Sequence, residues 1–335
     1  MTDEPTVDRR DGPEADGSPV PTVVSLGSVN VDRIRHVSDA EVDRLGRRHD
    51  WFPDRGETVK RQSLPDDVLA DPDRIRHGGK GANQAVAAAA AGASTAMLGA
   101  VGEDHDEFGS LSALCEAGVD TARVAVVPDP TGTAVVFVEP DGENRIIVRP
   151  GANDAVDGDY VRTHRDVIRG ADCLLLQNEI PVGPVAALLD SLAGDPERPT
   201  VVLDPAPTAG VDRLVAHDAV DYLTPNETEY AALGDPIDAF DGTLVRKHGP
   251  DEVVVENDER FVVTPPTVEA VDATGAGDVL NGVLAARLAA GDTPREAVEL
   301  GVIAASLSTR EAGARGGVPR LETVRSVRAS RRGSD

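Results

Sequence analysis

Aromatic residues are scarce in this chain, with five Phe, three Tyr and one Trp among 335 residues. Any core must therefore be built from Val, Leu and Ala, and a stacking slot for a flat aromatic ligand has little to draw on. Cysteine is nearly absent as well. Cys115 and Cys173 lie in apolar surroundings with no CxxC spacing, which excludes a disulfide framework or a zinc site and predicts buried thiols in a reducing compartment. No segment approaches 18 uninterrupted apolar residues, and the N-terminus is polar and acidic without the apolar core of a signal peptide. We therefore expect a cytoplasmic protein with no membrane partner.

Positive charge is in deficit: 33 basic residues against 59 acidic ones give a formal net charge of -26 and a pI near 4.5. The acids are spread along the chain rather than blocked, so a docking patch for one basic partner is not indicated, and nucleic acid would be repelled. At molar salt the Debye length falls to about 3 Å, and such a surface then keeps a protein soluble without forcing it apart. The composition thus predicts a halophilic protein of a salt-rich cytoplasm. Lysine is the rarest cation, with only Lys60, Lys80 and Lys247 beside thirty Arg. A lysine held between glycines, as in Gly78-Gly79-Lys80-Gly81, then invites a functional reading, although a solvated loop charge would look the same.

What is present is organised around Val271-Asp272-Ala273-Thr274-Gly275-Ala276-Gly277-Asp278 and the helix that follows. Val262, Val263, Val268 and Val271 precede it, and Val279, Leu280, Val283, Leu284 and Leu288 recur at helical spacing, which predicts strand, tight turn, helix. Glycines at a helix start let a ligand reach the unpaired first-turn N–H groups, which makes an anion site. Asp278 inside that first turn either stabilises the helix start or accepts a proton from a nucleophile near the anion. The P-loop pattern is absent, and GxGxxG fails at 275–280 because position 280 is Leu, so a dinucleotide fold loses its best signal.

Along the chain, residues 1–20 predict a disordered acidic tail and residues 21–322 one domain. Val23–Gly27 reads as a buried strand, and 28–34 as a second one with Asn30 and Asp32 on one face and Val29 and Val31 on the other. Residues 38–76 read as a charged surface insertion, helical around 39–48, with Gly56–Val59 its only strand-like island. Lys80 and Asn83 open an alanine-rich helix that stops at Gly92. Two apolar runs around Asp141-Gly142 predict a β-hairpin. From about 170 onward, apolar runs end in polar residues and alternate with helices, which predicts an open parallel sheet with Glu179, Asp204, Asn226 and Glu229 on one ligand-binding rim. Residues 323–335 read as a basic, frayed tail.

A carboxylate beside an anion hole, polar strand residues, a glycine-flanked lysine and a further acid pair together meet the needs of phosphoryl transfer. At this point the chain resembles the ribokinase-like, or phosphofructokinase-B-type, family of carbohydrate kinases, and within it the ribokinases. The resemblance spans about residues 22–320. It rests on the run from Gly78 through Ala85 and on 272–278, supported by 27–32, 56–59, Asp204-Pro205-Ala206-Pro207 and 224–229.

It implies an α/β fold, a three-layer α/β/α body with a mostly parallel sheet, and a small β-sheet lid from about 29–37, 56–62 and 131–149 that often makes a homodimer. It further implies ATP and Mg²⁺ as cofactors and a small sugar as substrate. Asp278 would be the base and the Gly275, Ala276 and Gly277 amides the anion hole, with Asn30, Asp32, Gly79, Lys80, Asn83 and Glu179 on the sugar. Asn226, Lys247 and Gly249 would face the nucleotide, Glu229 would support Mg²⁺, and Asp272 would lie by an activating K⁺. Ribose leads among acceptors, ahead of fructose, a fructose phosphate, a 2-keto-3-deoxy sugar acid and a nucleoside; Arg35 or Arg149 could supply the cation an anionic sugar needs. A catalytically silent sugar-binding regulatory protein would be expected to have lost Asp278 or the anion hole, and both are intact.

Overall fold

Val23–Leu26, Cys173–Gln177 and Thr200–Asp204 are apolar at nearly every position, the pattern of strands covered on both faces. In the computed structural model, which describes residues 20–257 and 259–332, these strands lie side by side in the middle of a ten-stranded sheet. Val24, Leu26, Leu174, Leu176, Val201 and Leu203 enter one core, whereas Val23, Cys173, Leu175 and Val202 enter another on the opposite face. That split follows from the two-residue period of a strand and yields the expected three layers.

From one edge, the sheet runs Arg260–Val263, Val253–Glu256, Thr243–Lys247, Tyr222–Leu223, Thr200–Asp204, Cys173–Gln177, Val23–Leu26, Thr95–Gly102 and Val119–Asp120. Val124–Val127 also pairs with the second half of Thr95–Gly102. All pairs are parallel except the two antiparallel ones at the Arg260–Val263 edge. The C-terminal ends of the parallel strands share one rim, and the helices Lys80–Ala90 and Ala276–Ala289 pack side by side there.

The smaller sheet has five strands in the order Thr58–Lys60, Asn144–Arg149, Gly132–Val138, Asn30–His36, Arg74–Gly78. Its last strand corrects the reading of residues 38–76 as an insertion with one strand-like island. Arg74-Ile75-Arg76-His77 has too little apolar alternation to announce itself, yet it pairs antiparallel with Asn30–His36. The rest of that segment covers one face of the sheet. Leu45, Leu64 and Val68 are buried with Val135, Phe137 and Ile147, giving the smaller sheet a core of its own.

Three further expectations change. The strand before the Asp272–Asp278 turn ends at Val263, and 264–271 is an irregular connection whose Val271 is 66% exposed. Residues 321–332 are a helix rather than a frayed tail: Val324 is buried, and Arg328 reaches Glu299 at 2.8 Å and Glu296 at 3.4 Å. Cys173 is buried, but Cys115 is exposed beside Thr121. The expected tail at 1–20 lies outside the described residues but for Val20. No helix among the described residues is long and apolar enough to cross a membrane.

Candidate active site

The Asp272–Asp278 turn opens the helix Ala276–Ala289. Gly275 caps it at φ +76°, and a Cβ there would come within 2.6 Å of Ala314, so a side chain at 275 is excluded both by conformation and by space. The Ala276 amide bonds to the Ala273 carbonyl at 3.2 Å, whereas those of Gly275, Gly277 and Asp278 have no acceptor among the described residues. The free donors at this helix start are therefore the Gly275, Gly277 and Asp278 amides, whereas that of Ala276 is already engaged. A Cβ at Gly277 would meet Lys247 Nζ at 3.3 Å, which places an ammonium group beside those donors.

Asp278 is buried and its carboxylate is held from the neighbouring helix: Asn83 Nδ2 donates to Oδ2 at 3.0 Å and Gln84 Nε2 to Oδ1 at 3.1 Å. Gln84 is set in turn by Gln177, whose Nε2 donates to Gln84 Oε1 at 2.6 Å. Two amide donors fix the carboxyl plane and leave each oxygen a lone pair for a hydroxyl.

Asn30, Asp32, Gly79, Lys80, Asn83 and Glu179 surround the same space. Asn30 is held by Asn153, which donates from Nδ2 at 2.7 Å and accepts the Val29 amide at 3.0 Å. Gly79 has φ +88°, and a Cβ would sit 2.7 Å from the Asn30 nitrogen, so the helix start presses directly on the Asn30–His36 strand. Glu179 accepts the Lys80 backbone N–H at 2.9 Å and the Ser28 hydroxyl. Lys80 Nζ lies 3.3 Å from Asp204 Oδ2 and 3.8 Å from Asp278 Oδ1. Burial opposes its charge, but Asp204, Asp278 and Glu179 outweigh that effect and push its pKa up. The Asp32 carboxyl is raised to about 7, first by burial and then by Glu179, with Arg315, Asp278 and Arg76 as further influences. Burial likewise raises Glu179.

On the other side of Asp278, Asn226 and Glu229 form a reciprocal cap at the start of a helix. The Asn226 side chain accepts the Glu229 amide at 2.8 Å, and the Glu229 carboxylate accepts the Asn226 amide at 2.8 Å. Lys247 bridges to this turn through its amide on the Pro225 carbonyl, 2.9 Å. Burial and then Asp204 raise the Glu229 carboxyl, while Lys247 opposes them. No group of three or more His, Cys, Asp or Glu suited to a metal occurs among the described residues. One carboxylate next to an anion site fits Mg²⁺ held chiefly by phosphate oxygens. Asp272 has each oxygen on a backbone amide, Thr274 at 2.9 Å and Gly313 at 2.8 Å, so its carboxylate is committed to the turn and offers a monovalent cation only its remaining lone pairs.

The structure thus brings together Asn30, Asp32, Gly79, Lys80, Asn83, Glu179, Gly275, Gly277 and Asp278, with Lys247, Asn226 and Glu229 adjoining. Gly249 stands exposed in open space. Arg35 and Arg149 do not face the site. Arg35 bonds to the Asp67 carbonyl and Glu41, and Arg149 to Thr133, on the sheet face opposite Asn30 and Asp32. The cations that act on Asp32 are instead Arg76, directly across from it in the sheet, and Arg315. Asp204 lies at the site, as its place on the predicted rim implies, and Gln84, Gln177, Asn281 and Arg315 join it without having been singled out. A polar residue inside an alanine-rich helix, as at Gln84, was the available signal.

Comparison with known proteins follows the geometry. Residues 56–321 match the pfkB family carbohydrate kinase profile. A ribokinase from Lactococcus lactis is 34% identical over 308 residues, covering 90% of this chain and 94% of that protein. The crystal structure of a Thermotoga maritima ribokinase superposes with a TM-score of 0.74 at 28% identity, covering 92% of this chain and 99% of that one. An Arabidopsis thaliana ribokinase complexed with ribose and ATP gives 0.71 at 26% identity, covering 92% and 98%. The family match spans most of the chain, the ribokinase-like α/β fold with its second small sheet agrees with it, and the chain belongs to the pfkB family of carbohydrate kinases.

Proposed function

We propose that this protein transfers the γ-phosphoryl group of ATP to the terminal hydroxyl of a small sugar, with D-ribose as the leading acceptor and ribose 5-phosphate as product. The observation that carries this reading is the placement of Asp278, a buried carboxylate flanked by amide donors on one side and unpaired helix-start N–H groups on the other.

On this reading the sugar lies between Asn30 and Asp32 above and Gly79, Lys80, Asn83 and Glu179 below, with its terminal hydroxyl at Asp278. The hydroxyl oxygen forms a bond to the γ-phosphorus, the bond from that phosphorus to the β-bridging oxygen breaks, and ADP leaves with the electron pair. Asp278 takes the hydroxyl proton late, as the new bond forms. The Gly275, Gly277 and Asp278 N–H groups and Lys247 stabilise charge on the migrating phosphoryl without reorganising. Asn226 and Glu229 orient the phosphates and their Mg²⁺, which neutralises the β- and γ-oxygens when bound. A monovalent cation near Asp272, a homodimer through the lid and a reducing, salt-rich cytoplasm belong to the same reading. Lid closure over the sugar would exclude water and suppress ATP hydrolysis.

The test is ADP release in high KCl with Mg²⁺, over ribose, deoxyribose, fructose, fructose 1-phosphate, 2-keto-3-deoxygluconate and adenosine. Ribose should turn over, and Asp278→Asn should reduce kcat by about 10² to 10⁴-fold with the fold intact. No turnover on any acceptor would sink the kinase reading; turnover on another member alone would replace the sugar.

A further inference from the structure

The loop around Gly313–Gly317 touches both halves of the site. Its Gly313 amide donates to Asp272, and Ala314 packs against Gly275, so it braces the anion-hole turn. Its next residue, Arg315, reaches to the sugar side instead. Arg315 Nε donates to Asn83 Oδ1 at 2.8 Å, and a terminal nitrogen donates to the Gly78 carbonyl at 2.7 Å. Asn83 then passes the contact on, donating from Nδ2 to Asp278 Oδ2.

An amide side chain offers an oxygen that accepts and a nitrogen that donates. With a guanidinium on the oxygen, only the nitrogen can face Asp278. Without it, a half-turn of the amide sets Asn83 Oδ1 against the carboxylate, which repels it and turns the carboxyl plane away from the acceptor hydroxyl. The guanidinium is suited to this task because its planar fork spans two fixed oxygens at once. Its charge also acts on Asp32 and Asp278, two carboxylates of one sign on opposite walls of the sugar space. The other charged groups facing Asp32 are Glu179 and Arg76.

We propose that Arg315 is a positioning residue for phosphoryl transfer: by fixing the Asn83 amide and the Gly78 carbonyl, it registers the sugar-side helix and Asp278 against the anion-hole turn braced by its own loop. The proposal rests on Asp278 being the base.

The experiment is a double-mutant cycle of Arg315→Ala and Asn83→Ala, with Arg315→Lys as the conservative variant, measuring kcat, both KM values and melting temperature. Each single alanine change should lower kcat by about 10 to 100-fold with KM for ATP nearly unchanged, as a misplaced base does. The double variant should be no slower than the slower single one, because both break one chain of contacts. Arg315→Lys should stay slow, since one ammonium cannot span both oxygens, and added guanidinium ion should partly restore Arg315→Ala. Multiplicative losses, or a lysine variant at wild-type speed, would show that Arg315 only staples its loop or only supplies charge. If Arg315→Ala does not fold, Arg315→Lys with Asn83→Ala completes the same cycle. Asp278→Asn at full speed would refute the base itself, whatever the cycle shows.

Discussion

Gly282 lies against the backbone of Gln84: a Cβ on Gly282 would come within 2.3 Å of the Gln84 carbonyl oxygen and 2.6 Å of the Ala87 methyl. Gly282 sits one turn beyond Asp278, and Gln84 follows Asn83, so this contact sets the distance across which both amides reach the carboxylate. The alanine-rich sequence of Lys80–Ala90 serves the same end, because small side chains let two helices approach closely enough for short polar side chains to meet.

Gly282→Ala should therefore push the helices apart at the site. Overpacking of this kind costs about 1 to 3 kcal/mol of stability, visible as a lower melting temperature. Because the shift falls where Asn83 and Gln84 hold Asp278, kcat should drop by about tenfold or more, out of proportion to the loss of stability. Equal activity at saturating substrates, in a protein that melts lower, would separate the packing from the chemistry.

How much of this was legible in the sequence depends on how local each signal is. Asp278 and Lys80 stand among glycines at helix starts, and a glycine requirement is written in the chain itself. The parallel strands are apolar runs of ordinary length, so the layered body could be read from them. Arg74–Gly78 could not, because its pairing with Asn30–His36 is long-range and its residues are charged. The Asp204 cluster is illegible for a related reason. Asp204 Oδ2 collects Lys80 Nζ and Gln84 Nε2 from one helix and Asn281 Nδ2 from another, all far from Asp204 in the chain, and only the fold makes them neighbours. Arg315 could not be read either, since nothing local shows that it reaches 232 residues back to Asn83.

Asp32 gives a pH prediction. Its pKa lies near 7 in the folded protein and near 3.8 when unfolded, so the folded state binds more protons between these values. Stability contributed by this group is then full below about pH 4 and lost as pH rises through about 7, the reverse of a salt-bridged Asp. If Asp32 binds the sugar as proposed, binding runs the other way, because the ionised carboxylate can accept hydrogen bonds from two hydroxyls whereas the acid form must donate one. KM for the sugar should fall as pH rises through about 7, with KM for ATP flat. Asp32→Asn should remove that dependence while raising KM; an unchanged profile in the variant would assign the titration to another group.

Salt dependence tests the surface rather than the site. A net charge of -26, from 59 acidic against 33 basic residues, leaves a large share of the carboxylates without a cation of their own. Several of the ion pairs that exist are surface contacts such as Arg47–Asp43 at 3.9 Å and Arg213–Asp190 at 3.2 Å, whose benefit in water is small. Raising KCl from about 0.1 M to about 2 M weakens these pairs a little but screens a much larger sum of repulsions, the Debye length shrinking from about 10 Å towards 3 Å or less. The melting temperature should therefore rise with KCl. The same rise in NaCl at equal ionic strength would assign it to screening, whereas turnover that responds to K⁺ alone would assign that part of the effect to a cation near Asp272. A melting temperature that stays level or falls with added KCl would mean that self-repulsion does not limit this fold, and that its acidity serves something other than life in salt.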